Sequence, residues 1–267
     1  MYKVKVSNAT VTFHAQGEGP GLILVHGTGA DWKGNWGEII ESFSPYRKVV
    51  CPNYSGSGET KDNGEDLSIE MLAEQIIAAA EESKIVPFDI MGFSLGATLT
   101  AYIAAEYPEY VNSVILVGGF ASTDDSRSQL QFNLWKELIE FNQPVLAKII
   151  MLTGFTPDFV ASMTIAQVEE NIKNIIENNN WDGMARQVEL DLNVNIKDQI
   201  RKITKPTLVI ANNYDYMVSK ERSLELVKLN PKFEYAEIES GHLVVHEKPK
   251  ELIEISLEFL LRNSKAK

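Results

Sequence analysis

The sequence has little cysteine, a deficit of positive charge and no long apolar run. One cysteine, Cys51, occurs in 267 residues, which excludes an internal disulfide and any metal site with several cysteine ligands. Asp and Glu total 37 against 25 Lys and Arg, and the resulting net charge of −12 repels the phosphate backbone of nucleic acid. No apolar stretch approaches the roughly 20 residues that cross a bilayer. We therefore expect neither a nucleic acid nor a membrane partner.

The first residues, MYKVKVSNATVTFHAQ, show no signal peptide pattern. They contain no apolar core followed by a small-residue cleavage site. Because there is no signal peptide pattern, and because a reducing compartment allows this cysteine usage, we expect a cytoplasmic protein. We expect it to be a monomer or a homodimer. What the chain does have is 44% hydrophobic residues. That content suits a globular protein with a sizeable core, built as one α/β domain with an insertion or as two small domains.

Four apolar runs without polar alternation predict a parallel sheet that helices cover on both faces. They lie at residues 21–27, 46–53, 87–92 and 112–119. Further strands are predicted as an early antiparallel pair at 2–6 and 10–14, and as later strands at 206–213 and 232–240. Helical segments are predicted at 68–83, 95–106 and 249–262. The alternation of strand and helix predicts an α/β fold.

The segment between residues 122 and 204 interrupts this alternation. It contains no convincing strand, and apolar residues recur in it at helical spacing: Leu130, Leu134 and Leu138, and later Ile165, Val168, Ile172 and Ile175. No low-complexity linker flanks it, so we expect it to pack on the sheet. The sequence thus predicts a core domain of residues 1–121 and 205–267, and a helical cap (lid) of residues 122–204, called the cap below.

The pentapeptide GFSLG holds Ser94 between Gly92 and Gly96, where an apolar strand pattern meets an alanine-rich helix pattern. A sharp turn there would expose the hydroxyl at the carboxyl end of a parallel strand, where open α/β sheets bind their ligands. The two glycines relieve crowding at such a corner. Ser94 is therefore the candidate nucleophile. The free amide of Leu95 at the helix start can bind the oxyanion that forms when a carbonyl is attacked.

A serine hydroxyl needs a base close by, and the chain offers four histidines. His14 is expected to pack in the early antiparallel pair, and His26, at a strand end, to brace a loop. His242 follows the strand pattern FEYAEIE and comes to the same sheet edge as Ser94, so it is the candidate base. His246 could join it as a metal ligand in HLVVH. However, the glutamate of HExxH is absent and two adjacent valines disfavour a helix, so no metal is expected.

The acid that orients the base should come from another strand end. Asp215 stands just past the strand pattern 207–211 and is the first candidate. Asp124 and Asp125, which follow an earlier strand, remain alternatives, although helix capping explains them at least as well. Glu239 is nearer to the candidate base in sequence, but it lies within a predicted strand. The resulting chain order, serine then aspartate then histidine, is typical of one fold.

Four motifs together resemble the α/β-hydrolase fold family over nearly the whole chain. They are LVHGTGAD at 24–31, GFSLG at 92–96, ANNYDYMV at 211–218 and SGHLVVHEKP at 240–249. The resemblance implies an eight-stranded, mostly parallel sheet, with Ser94 as nucleophile, His242 as base and Asp215 as acid. It also implies an oxyanion hole made by the backbone amides of Thr28 and Leu95.

One further segment, NYSGSGET at 53–60, resembles the family's glycine-containing turn after the fourth strand. It departs from the family pattern at its start, where Asn53 stands in place of the aspartate often found there. We expect this departure to concern loop packing more than chemistry. The resemblance also implies that residues 122–204 correspond to the family's helical cap over the active site.

These residues predict a serine hydrolase without a cofactor that acts on a small molecule through an acyl-enzyme intermediate. The cap carries large apolar side chains, most of which are expected to pack the cap itself: Phe132, Trp135, Phe141, Met151, Phe155, Phe159, Met163, Trp181 and Met184. No basic cluster in the cap suggests a phosphorylated or coenzyme A substrate, so we expect a neutral, moderately hydrophobic ester, lactone or thioester. Alternatives are carbon–carbon bond hydrolysis, perhydrolysis or acyl transfer by the same triad, or a non-catalytic small-molecule receptor on this scaffold.

Overall fold

A sheet of eight strands forms the centre of the protein in this computed structural model, which describes residues 1–263. The strands are β1 (Tyr2–Val6), β2 (Ala9–Gln16), β3 (Gly21–Val25), β4 (Lys48–Asn53), β5 (Phe88–Phe93), β6 (Val111–Val117), β7 (Thr207–Asn212) and β8 (Glu234–Ile238). Their order across the sheet is β1-β2-β4-β3-β5-β6-β7-β8. Strand β2 pairs antiparallel with β1 and β4, and the other pairs are parallel. The predicted fold class is confirmed.

Helices connect the strands and flank the sheet. In chain order they are α1 (Trp32–Trp36), α2 (Ile40–Phe43), α3 (Ile69–Glu82), α4 (Leu95–Glu106), α5 (Ser126–Phe141), α6 (Gln143–Gly154), α7 (Pro157–Ser162), α8 (Ile165–Asn178), α9 (Trp181–Leu192), α10 (Lys197–Lys202), α11 (Lys220–Leu229), α12 (Val244–Glu247) and α13 (Pro249–Asn263). Within residues 1–263, none of these helices combines the length and the apolar character needed to cross a membrane.

Alternate side chains of the central strands enter two different hydrophobic clusters. In β3, Ile23 joins a cluster with Ile76 of α3, while Leu22 joins the other cluster with Trp36 of α1. All five residues of β3 are buried. A strand that is covered on both faces gains from apolar residues at every position, so its polarity does not alternate. This is the physical reason why unbroken apolar runs indicated a parallel sheet.

Six helices, α5 to α10, lie between β6 and β7, in the interval that the sequence predicts to be the cap. Among the described residues of this interval, the β-pairing consists of one isolated bridge, between Ser122 and Asn195. The division into a core of 1–121 and 205–267 and a cap of 122–204 stays a prediction. Residues 264–267 of the predicted core segment lie outside the described residues.

Helix α5 buries a different face from the one that its leucines mark. The spacing of Leu130, Leu134 and Leu138 indicates the helix correctly, but Leu130 is 73% exposed. The buried residues of α5 include Phe132 and Trp135 instead. Aromatic side chains remove more apolar surface from water than leucine does, so the helix turns these two rings inward, whereas Phe141 at its end is exposed.

The HLVVH segment forms a short helix, which the adjacent valines did not lead us to expect. Val244 and Val245 begin α12 and are 0% and 1% exposed, so tertiary packing outweighs their low helix propensity. His242 and His246 face different partners, because the first contacts Asp215 and the second lies 3.5 Å from Glu38 Oε2. No group of three potential metal ligands occurs among residues 1–263.

Candidate active site

Ser94 occupies a sharp turn between β5 and α4. Its backbone has φ 56° and ψ −122°, a conformation that an L-residue adopts at a cost, and its amide donates to the carbonyl of Val117 at 2.9 Å. A Cβ on Gly92 would lie 2.1 Å from the carbonyl oxygen of Gly96, and a Cβ on Gly96 would lie 2.3 Å from that of Val25. Both positions therefore require glycine, and the turn holds the serine side chain at the carboxyl end of β5.

Asp215 and His242 are brought together at the same edge of the sheet. Asp215 Oδ2 lies 2.6 Å from His242 Nδ1, and both residues are buried. Asp215 Oδ1 accepts from the amides of Met217 and Val218, each at 2.8 Å. The backbone at the histidine is tied to β7, because Asn212 Nδ2 donates to the carbonyl of His242 at 3.3 Å. These bonds fix the carboxylate and the imidazole in one relative orientation.

The imidazole of His242 lies beside the strand that carries Ser94. Its ring centroid is 4.7 Å from that of Phe93, and a Cβ on Gly118, just past β6, would lie 3.6 Å from its Nδ1. Within residues 1–263, Ser94 Oγ forms no hydrogen bond with the ring. Bonds between a nucleophile and its base are often long in ligand-free proteins and tighten when a substrate arrives. Ser94 itself is 9% exposed.

The amides predicted to form an oxyanion hole have no competing acceptor. In the loop after β3, the amide of Gly27 donates to Asn35 Oδ1 at 2.9 Å, and the amide of Gly29 donates to Gln187 Oε1 at 2.8 Å. The amides of Thr28 and Leu95 have no acceptor among residues 1–263. The loop after β3 also reaches the serine, since a Cβ on Gly27 would lie 3.1 Å from that of Ser94.

The remaining histidines have other surroundings. His26 is fully buried, stacks on Tyr54 with centroids 4.0 Å apart, and donates through Nδ1 to the carbonyl of Gly27 at 2.9 Å. Burial lowers the pKa of His26 to about 4, so its ring is neutral near pH 7. His14 stacks on Trp32, with centroids 4.2 Å apart. The surroundings of both histidines agree with the prediction that His14 packs in the early antiparallel pair and that His26 braces a loop.

The alternative carboxylates also have other partners. Asp125 caps α5 by accepting from the amides of Arg127 and Ser128, each at 3.1 Å. Asp124 pairs with Lys197 at 2.8 Å. Glu239 lies just beyond β8, which ends at Ile238, and not within the strand as the sequence suggested. Of the carboxylates that the sequence singled out, Asp215 is the one bonded to the candidate base.

Two polar residues of the cap reach this site, and the sequence analysis missed them. Gln187 and Asp191 of α9 are 0% exposed and bond to Gly29 and Thr28, respectively. Burial raises the pKa of the Asp191 carboxyl to about 8. In sequence they form part of RQVELDL, where charged and amide side chains on an amphipathic helix indicate a solvated face. The pattern offers no signal that separates them from Glu189, which is exposed.

An apolar cluster joins the loops that follow β3 and β7. Met184 of the cap and Met217 of the loop after β7 belong to the same cluster, whose buried members are Phe132, Trp135, Ile139, Leu146, Met184, Val188 and Met217. Met184 also touches the loop after β3, since a Cβ on Gly29 would lie 2.8 Å from its Sδ. Strand β5 lies between β3 and β7 in the sheet, so a cluster that joins these two loops spans the end of β5.

A serine on a strand–turn–helix corner, beside a bonded aspartate–histidine pair on this sheet, defines a protein of the α/β-hydrolase class. The sequence profile of the alpha/beta hydrolase fold matches residues 20–249, and the chain belongs to this family. It is an enzyme of the α/β-hydrolase type.

Relatives with this fold differ in what they act on. A pyrrolizixenacetamide deacetylase from Xenorhabdus hominickii is 43% identical over 98% of this chain and 98% of its own length. A 2-hydroxy-6-oxo-6-(2'-aminophenyl)hexa-2,4-dienoic acid hydrolase from Metapseudomonas resinovorans is 24% identical over 93% of this chain and 86% of its own. The solved structure of an enol-lactonase from Burkholderia xenovorans LB400 matches with a TM-score of 0.87 and 17% identity, covering 97% of this chain and 100% of that chain. At this identity the likeness to the lactonase is one of fold alone.

Proposed function

We propose that the protein is a serine hydrolase that releases a short acyl group, such as acetyl, from a neutral, moderately hydrophobic amide or ester. The observation that carries this proposal is the 2.6 Å bond between His242 Nδ1 and Asp215 Oδ2, at the sheet edge where Ser94 occupies its sharp turn. When Nδ1 donates to the carboxylate, Nε2 of the neutral ring carries a lone pair and can accept a proton. This arrangement supports His242 as the general base.

The reaction follows from these roles. Ser94 Oγ attacks the acyl carbonyl while His242 Nε2 takes its proton, and Asp215 stabilises the imidazolium that forms. The amides of Thr28 and Leu95 donate to the oxyanion, and loss of one such donor commonly costs about 3 kcal/mol of transition-state stabilisation. His242 then protonates the leaving group, which is essential when that group is an amine. A water that His242 activates finally hydrolyses the acyl-serine.

The substrate class rests on the 43% identical relative and on the apolar cluster that joins the loops after β3 and β7. The relative that is 43% identical over nearly the whole chain is named a pyrrolizixenacetamide deacetylase, and this name favours an amide bond and a two-carbon acyl group. This extends the ester, lactone or thioester that the sequence led us to expect. The apolar cluster above β5, which includes Met184 and Met217, suits a neutral and moderately hydrophobic molecule.

A graded substrate panel tests the reaction type. We expect turnover of 4-nitroacetanilide and 4-nitrophenyl acetate, with kcat/KM for the acetate at least about tenfold above that for the octanoate, because the relative that is 43% identical is named a deacetylase. Turnover confined to long-chain esters would contradict the short acyl group. Turnover confined to a 1,3-diketone would instead indicate hydrolysis of a carbon–carbon bond.

A pair of matched variants tests the acid. Asp215→Asn should lower kcat by about 10⁴-fold, because the amide cannot stabilise the imidazolium and favours the wrong tautomer. Asp124→Asn, which changes a carboxylate that pairs with Lys197, should leave kcat within about twofold. The reverse result would move the acid to the end of β6.

A further inference from the structure

The cap helix α9 presents two polar side chains, one turn apart, to the loop that follows β3. Gln187 Oε1 accepts from the amide of Gly29 at 2.8 Å, and Asp191 Oδ2 accepts from the hydroxyl of Thr28 at 2.7 Å. Both side chains are 0% exposed. Residues four apart lie on the same side of a helix, so a single face of α9 holds two successive residues of this loop.

The same part of α9 is anchored to the turn after β4 and to the segment after β6. Gln187 Nε2 donates to Ser57 Oγ at 2.8 Å and to the carbonyl of Ser55 at 3.3 Å. One turn later, the backbone carbonyl of Asp191 accepts from the hydroxyl of Thr123 at 2.5 Å. A helix that is tied down at both points can hold the loop in one position.

These contacts bracket the peptide group of Thr28. The amides on either side, those of Gly27 and Gly29, both donate to side chains, whereas the Thr28 amide has no acceptor among residues 1–263. The Thr28 side chain is in turn held by Asp191. The direction of this amide therefore depends on bonds that the cap makes, and not on the core alone.

We propose that Asp191 is a positioning residue, which acts through the hydroxyl of Thr28 to aim the Thr28 amide at the carbonyl oxygen of the substrate. The inference rests on the proposed function, in which this amide is an oxyanion donor. A misdirected donor stabilises the transition state less but leaves substrate binding nearly unchanged. Loss of the bond between Asp191 and Thr28 therefore lowers kcat and not the affinity for substrate.

The choice of an aspartate at this place supports a role beyond packing. Asp191 is fully buried, and its Oδ1 has no hydrogen-bond partner among residues 1–263. Burial of an apolar side chain at this position would cost less free energy than burial of this carboxyl. Burial raises the pKa of this carboxyl to about 8, so it is largely neutral at pH 7. A neutral carboxyl accepts from Thr28 without placing a negative charge beside the developing oxyanion.

Removal of the bond from each side tests the proposal with 4-nitrophenyl acetate as the probe. Thr28→Val keeps the shape of the side chain but loses the hydroxyl, and kcat should fall at least about tenfold with KM within about twofold. Thr28→Ser keeps the hydroxyl and should stay within about threefold of the wild type. Asp191→Leu should match Thr28→Val, whereas Asp191→Asn, which retains an acceptor, should restore kcat to within about threefold.

Non-additivity is the sharper readout. The double variant Thr28→Val/Asp191→Leu should be no slower than the slower single variant, because both remove the same bond. Asp182→Leu, on the exposed part of α9, serves as the matched control and should retain the wild-type kcat. If Asp191→Leu does not fold, the comparison of Thr28→Val with Thr28→Ser still decides.

Two failures can be told apart. A wild-type kcat in Thr28→Val, an effect on KM alone, or fully additive losses in the double variant would overturn the role of Asp191. Ser94→Ala, assayed beside these variants, reports on the proposed function separately. An active Ser94→Ala would overturn the proposed function, whereas an inactive Ser94→Ala together with an unaffected Thr28→Val would overturn only the positioning role.

Discussion

Replacement of Asp191 by asparagine should change how the stability of the protein depends on pH. Asp191 is 0% exposed, and burial raises the pKa of its carboxyl from 3.8 to about 8. Between these two values the folded protein binds a proton that the unfolded chain releases. Since the native state binds more protons at this site, the contribution of Asp191 to the free energy of unfolding falls as the pH rises from about 4 to about 8 and then levels off. Asparagine has no proton to release, so the Asp191→Asn variant does not show this decrease in the free energy of unfolding.

The size of the effect follows from the same pKa values. Each pH unit within this window costs about 1.4 kcal/mol, so the wild type should lose about 4 kcal/mol relative to Asp191→Asn between pH 5 and pH 8. Other titrating groups are common to both proteins and cancel in the difference. Asparagine also retains an oxygen that can accept from the hydroxyl of Thr28.

Urea unfolding of both proteins at pH 5, 6, 7 and 8 measures this difference. The stability of Asp191→Asn relative to the wild type should increase steadily over the series. Asp182→Asn, which changes an exposed carboxylate on the same helix, should keep a constant offset. A constant offset for Asp191→Asn as well would contradict this prediction, because it would mean that Asp191 is ionised in the folded protein throughout this range.

Two further predictions concern the core. Ser94→Gly should be more stable to urea than Ser94→Ala by about 1–2 kcal/mol, because glycine adopts the φ of 56° without the strain that any side chain incurs; equal stabilities would show that the turn is unstrained. Cys51 is fully buried and burial raises the pKa of its thiol, so dithiobis-nitrobenzoate at pH 8 should modify it only after unfolding in urea, and rapid modification of the native protein would contradict this burial.

Much of the fold could be predicted because burial on both faces leaves a direct imprint on the sequence. Every residue of β3 and of β7 is buried, and each strand contains an apolar run of at least four residues without polar alternation. Helix α5 shows the limit of such patterns. Its leucines and its aromatic residues both recur at helical spacing, and only the surface on which the helix packs decides which stripe is buried.

The residues of the candidate site that directly follow strands could be predicted from the sequence, whereas those that come from the cap were missed. Ser94, Asp215 and His242 all stand just past strands whose carboxyl ends meet at one edge, so their order in the chain pointed to a common location. Gln187 and Asp191 lie on α9, which does not directly follow a strand, and their spacing suits a solvated helix face equally well. Their burial depends on a tertiary contact with the loop after β3, which no local pattern records.

Covalent labelling of Ser94 tests the proposed chemistry most directly. A fluorophosphonate probe reacts with a serine only when a base activates its hydroxyl and amides receive the developing charge. We expect intact-mass analysis to show one adduct on the wild type, peptide mapping to place it on Ser94, and Ser94→Ala to remain unmodified. An unlabelled wild type, or equal labelling of both proteins, would contradict Ser94 as the nucleophile.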